Sequence, residues 1–171
     1  MSHYNWTAQF LKLYERSLRE YSAGNRRLET YFQRDDLDFL ASVGFQPAEI
    51  YDFVEDAPEL SYETALLVAA VRRDYFLTVQ QGQGTSQRLR MEDFPSKKQS
   101  IDGIEWLPRI ILKAKARLRG ELPSDLMYCC GGDRSFLRKH DIHPADFLRL
   151  VWSAGDDEMK IVKFVKKHKS H

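Results

Sequence analysis

Two stretches of this chain repeat one pattern without a gap. Phe39-Leu40, followed by Pro47-Ala48 and Ile50, aligns with Phe136-Leu137, Pro144-Ala145 and Phe147. The apolar pairing continues as Phe53 with Leu150 and Val54 with Val151. Self-similarity over a spacing this long predicts one helical unit used twice, because each copy must bury the same apolar face. What the copies share is core pattern and helix punctuation. Neither repeats a set of reactive side chains.

The length of 171 residues is enough for two small cores. Hydrophobic content of 43%, charged content of 30% and a formal net charge of +1 describe a globular chain without a global bias toward nucleic acid or membrane. No apolar run is long enough to span a bilayer. Met1-Ser2-His3-Tyr4 lacks the basic-then-apolar layout of a signal peptide, so a cytoplasmic location is expected. Cys129 and Cys130 are adjacent. Adjacent cysteines reach disulfide geometry only with backbone strain, so two free thiols are expected.

Helical periodicity runs through the whole chain. Asn5 is placed to cap a helix carrying Trp6, Phe10, Leu13 and Tyr14, which Gly24 ends. Asp35 or Asp36 caps the helix of Phe39 and Leu40, stopped by Gly44, and Pro47 opens the next at the position where a missing N–H costs nothing. Ser61 caps a helix to about Gln81 that is apolar nearly all round through Ala65–Val71, which predicts central burial. In the second half Trp106-Leu107-Pro108 opens a helix ended by Gly120. Asp133 caps the helix of Phe136, Pro144 starts another, and Asp156 or Asp157 caps the last. No strand-like alternation is evident. The predicted fold is all-α: two pseudo-repeated helical bundles, residues 1–81 and 101–171, joined by a polar, basic linker over 82–100. Phe39, Leu40, Phe53, Leu67, Phe136, Leu137, Phe147, Val151 and Phe164 are the expected core.

The second half resembles a family of bacterial proteins, domain of unknown function family 5069. The runs that carry the likeness are Gly103, Leu107-Pro108-Arg109, Lys113-Ala114, Arg117, Gly120-Glu121-Leu122-Pro123, Tyr128, Cys130, Asp133, Phe136-Leu137 and the acidic Asp156-Asp157-Glu158. They cover residues 94–167. The first half fits only as a degenerate copy, without the Leu-Pro-Arg start or the Tyr-Cys segment. The resemblance implies the fold and a bacterial origin, and no reaction. It puts any ligand-binding site in the second half, at Arg109, Lys113, Tyr128, Cys130 and Asp133.

Three readings of these residues compete. Cys130 precedes Gly131-Gly132-Asp133 at a helix start, where the dipole favours thiolate, and His140 is a candidate base. No orienting partner or oxyanion pocket is readable, so catalysis is not favoured. Zinc would use Cys129, Cys130, His140 and His143, but adjacent thiols point apart and the spacing is poor. No metal and no cofactor are expected. Arg109, Lys113 and Arg117 form an i, i+4 stripe, and Lys160, Lys163, Lys166, Lys167 and Lys169 add a basic C-terminal run, while acidic residues such as Asp35, Asp36, Asp38 and Glu55 mark the first half. That asymmetry fits an anion- or nucleic-acid-binding face, mutual docking of the halves, or two solvated surfaces. Arg109 sits in a first helical turn, where the dipole opposes a cation, and Asp133 is its candidate partner. The favoured reading is a non-catalytic helical protein that binds a protein partner or a second copy of itself. Nucleic-acid or anion binding by the basic half and a thiol- or metal-dependent enzyme at Cys130 are the alternatives.

Overall fold

Eight α-helices and one short hairpin make up the extended regular structure among the described residues, 3–168, of a computed structural model. Met1, Ser2 and Lys169, which entered the sequence reading, lie outside them. The chain divides into two units, Met1–Gly84 and Thr85–His171. Among the described residues no helix is long and apolar enough to cross a membrane.

In the first unit α1 (Trp6–Ser22) buries Phe10, Leu13, Tyr14 and Ser17, spaced to fall on one helical stripe. That stripe packs on α3 (Pro47–Glu55), which buries Ile50, Phe53 and Val54. Phe10 is fully buried and meets the rings of Phe45 and Phe53 edge to face, at centroid distances of 5.9 and 6.4 Å. Asn5 stands at the cap of α1 but makes no side-chain capping bond. The start of α2 (Arg34–Ser42) also differs from expectation. Gln33 is the cap, and Asp36 works three residues inside, its carboxylate accepting from the Gln33 N–H at 2.8 Å in a capping box. Gly44 ends α2 at φ +79°, and a Cβ there would lie 2.4 Å from Phe76 Cγ, so both conformation and space require glycine.

The last helix of this unit, α4 (Tyr62–Thr78), is capped by Ser61, whose hydroxyl accepts from Thr64 N–H at 3.2 Å. It stops three residues short of the expected end. Ala65, Val68, Ala69, Arg72 and Phe76 form its buried stripe. Leu67 falls outside that stripe and is 42% exposed, which corrects its assignment to the core.

In the second unit the segment read as linker contributes structure from Leu89 onward. The Leu89 N–H donates to Glu121 O at 2.9 Å, and Phe94 is buried. A two-stranded antiparallel hairpin follows, β1 (Ser100–Ile101) and β2 (Ile104–Glu105). Its turn is Asp102-Gly103, both at positive φ, the combination that two-residue hairpins favour. Helix α5 (Leu107–Arg119) is the central element, buried on most sides, and Gly120 ends it in the left-handed region. Around it come α6 (Gly131–Lys139), α7 (Pro144–Ala154) and α8 (Glu158–Lys167). α5 packs on α7 and α7 on α8. Asp157 caps α8 by accepting from Lys160 N–H at 3.2 Å. Phe164 is only half-buried, stacked on His168 at 4.1 Å, a second correction to the expected core. Phe39, Leu40, Phe53, Phe136, Leu137, Phe147 and Val151 are buried as expected.

The two units order their helices alike. Shifting α2 by 97 residues moves Arg34 to Gly131 and Ser42 to Lys139, the bounds of α6. The same shift takes Ser22, the end of α1, to Arg119, the end of α5, and Pro47 to Pro144.

Replacing Phe10 by alanine is expected to lower stability by about 3–5 kcal/mol, because it empties the α1–α3 contact. Leu67→Ala should stay within about 0.5 kcal/mol, as for an exposed side chain. Urea denaturation of both variants checks this contrast.

Candidate functional site

The loop between α5 and α6 closes over one carboxylate. Asp133 is fully buried at the third residue of α6, and so acts inside the helix rather than as its cap, which is Cys130. Its Oδ1 accepts from Trp106 Nε1–H at 3.0 Å and its Oδ2 from the Cys129 N–H at 2.9 Å. The Lys113 ammonium completes an ion pair with Oδ2, and the two side chains are 1% and 0% exposed. A buried carboxylate requires such donors, since removing the charge from water costs several kcal/mol.

Two of the partners have unusual backbones. Trp106 at φ 70° and Cys129 at φ 73° lie in the left-handed region, which bulky residues avoid. Both are tied to Asp133, so its bonds help hold conformations that local preference disfavours. Trp106 also lies against the first turn of α6. A Cβ on Gly132 would stand 2.5 Å from its ring, which makes that glycine a space requirement.

Three of the five sequence-predicted site residues meet here. Lys113 Nζ donates to Cys130 Sγ at 3.2 Å as well as to Asp133. Cys130 is half-buried and Cys129 fully buried, both free thiols. Burial, with the Asp133 carboxylate adding to it, pushes the Cys129 thiol up to about 12. Tyr128 belongs to the same loop, but its hydroxyl donates to Pro144 O at 2.8 Å and ties the loop to α7. Burial first, then the neighbouring Cys129, raises its pKa well above the usual tyrosine range.

Arg109 is turned elsewhere. It donates to Pro95 O at 2.7 Å and covers the Phe94 ring, so a backbone carbonyl takes the place of the expected Asp133 partner. His140 is not a base for Cys130. The two cap opposite ends of α6, about 15 Å apart by helical rise. His140 is buried against Phe136 at 4.7 Å rather than exposed, and His143 Nδ1 accepts from Ala145 N–H at the start of α7. Among the described residues no group of three or more His, Cys, Asp or Glu side chains gathers as metal ligands would. The basic stripe on α5 is also not a surface, for Lys113 and Arg117 are both buried. Sequence reasoning missed Trp106 as a donor, and a partner 27 residues away leaves no local signal.

The first unit has a related pair. Arg16 Nη2 meets Asp36 Oδ2 at 2.5 Å, with side chains 36% and 19% exposed. Arg16 and Asp36 are the positions 97 residues before Lys113 and Asp133. Beside them opens a cleft of about 290 Å³.

Residues 91–171 match the protein family described as Domain of unknown function (DUF5069). The match covers the second half of the chain, including the whole Asp133 cluster. Comparison with curated proteins and with solved structures found no match.

The Cys129 thiol supplies a pH test. It ionises near 9 without perturbation and near 12 in the folded protein, so the native state keeps a proton that the unfolded chain loses. The associated stability is present below pH 9 and is lost as the pH rises from 9 to 12. Stability measured by denaturation should fall more steeply over that window in the wild type than in Cys129→Ala. The part of the Tyr128 shift that comes from burial is common to both proteins, while the part it owes to Cys129 leaves with the thiol and adds to the difference in the same direction.

Proposed function

We propose that this chain is a non-catalytic helical binding protein made of two diverged copies of one bundle. The observation that carries the non-catalytic reading is the closure of the DUF5069-region site. Asp133 is occupied by three donors, Lys113 gives hydrogen bonds to Asp133 and Cys130, and the histidine expected as base lies at the far end of α6. The shared helix bounds and the ion pairs at matched positions support the duplication.

Charge supports an anionic partner for the second unit. Residues 85–171 hold 18 lysines and arginines against 12 aspartates and glutamates, whereas residues 1–84 hold 8 against 13. On α8, Lys160, Lys163, Lys166 and Lys167 are all exposed. Fluorescence anisotropy with labelled duplex DNA and single-stranded RNA tests this. Affinity should fall steeply with salt, because each neutralised phosphate releases counterions, and Lys163→Glu with Lys167→Glu should weaken it about tenfold. Failure to bind either polyanion at low ionic strength would remove the anionic partner.

A second reading has one specific support, the Lys113 ammonium 3.2 Å from the Cys130 sulfur at a helix N-terminus. Titration of the native protein with an aromatic disulfide is expected to modify Cys130 and spare Cys129. A rate on Cys130 far above that of an unstructured cysteine peptide would favour thiol chemistry over simple binding.

A further inference from the structure

The cleft in the first unit is lined by Gln9, Lys12, Leu13, Arg16, Asp35, Asp36 and Phe39. Moved forward by 97 residues, its polar residues Gln9, Lys12, Arg16, Asp35 and Asp36 become Trp106, Arg109, Lys113, Gly132 and Asp133. In the second unit that place is closed by the Trp106 indole, whose N–H sits on Asp133 Oδ1. In the first unit the indole position is taken by Gln9 and the glycine beneath it by Asp35. The ion pair accordingly changes from 1% and 0% exposed to 36% and 19%.

We infer that the first-unit cleft is a binding site for a planar heteroaromatic ring bearing an N–H donor, an indole-class ligand that takes the role Trp106 plays internally in the second unit. This rests on the duplication proposed above. Both hydrogen bonds made by Asp36 arrive at Oδ2, from Arg16 and from the Gln33 N–H, which leaves Oδ1 to accept as Asp133 Oδ1 does. Leu13 and Phe39, both buried, supply the apolar surface on which a ring lies. At about 290 Å³ the cleft is near the lower size limit of small-ligand pockets, suited to one bicyclic ring. The ring must sit clear of the Asp35 Cβ, because the Trp106 pose tolerates only glycine there. It therefore enters from solvent rather than from α1.

The test titrates the full chain with indole and with benzofuran, its isostere lacking the N–H, by ligand-observed NMR. Indole is expected to saturate and benzofuran to bind at least tenfold more weakly. Asp36→Asn should weaken indole while leaving benzofuran unchanged. A tryptophan-containing peptide run beside free indole separates the two sources of such a ring, the tighter ligand identifying whether a protein side chain or a small molecule is taken. Gln9→Trp combined with Asp35→Gly reconstructs the closed arrangement. It should abolish indole binding, raise the thermal midpoint, and add to the three native indole N–H resonances a fourth protected from solvent exchange. No saturable indole binding in the wild type overturns the ligand site, whatever the variant does. If the added resonance is nevertheless protected, the duplication stands without a ligand. If it exchanges freely and the midpoint falls, the duplication falls too. Equal binding of indole and benzofuran overturns the role given to Asp36.

Discussion

The second unit depends on one buried carboxylate. Asp133 draws a helix start, a helix interior and a loop into one point through Trp106, Lys113 and Cys129. Its net worth to stability is modest, because desolvating Lys113 and Asp133 offsets most of their attraction. Removing one partner is a different matter, since the other is left charged and buried. The pair therefore acts as a condition on packing. The loop can close only where three donors converge, and that convergence fixes two residues in left-handed conformations.

The same logic explains why the two units differ where they do. A cation–carboxylate pair between the first long helix and the start of the next occurs in both. Around Asp133 a large ring and a glycine fit together, and the pair is dry. At the positions 97 residues earlier the sequence has Gln9 for the ring and Asp35 for the glycine, so neither half of that fit is available to Asp36. Losing only the ring would leave a void, and losing only the glycine would force a clash with the indole. Changing both leaves an open cleft with a wetter ion pair, which costs less because water still reaches it.

Much of the fold was legible. Gly24, Gly120, Pro47, Pro144, Ser61 and Asp157 punctuate the helices as their local chemistry requires, and the pairs Phe39 with Phe136, Leu40 with Leu137, Ile50 with Phe147 and Val54 with Val151 are buried in both halves, while Leu150, opposite Phe53, is half-buried. The failures have particular causes. Leu67 sits in a helix of nearly uniform apolarity, where periodicity cannot say which side faces out. Gln33 carries no cap signal of its own beside acidic residues that are better caps in isolation, yet Asp36 works three residues in, where it meets both Gln33 and Arg16. The hairpin carries its turn signal in Asp102-Gly103, but strands of two residues show no alternation to accompany it.

The site was half legible for a related reason. Lys113, Cys130 and Asp133 stood out by residue type and by the family-like runs, and they do converge. Their roles were not readable, because a cation on a helix looks the same in sequence whether it faces water or a buried acid. Arg109 and Lys113 lie one turn apart on α5, and one reaches a loop carbonyl while the other is sealed in the core. What separates them is the loop that returns to cover Lys113, and its path is set by Asp133. Adjacent Cys129 and Cys130 follow the same rule. The left-handed turn at Cys129 goes with one thiol fully buried and the other at the helix mouth beside the ammonium. Two identical neighbours in the sequence thus acquire opposite environments from a backbone angle that the Asp133 carboxylate helps to hold.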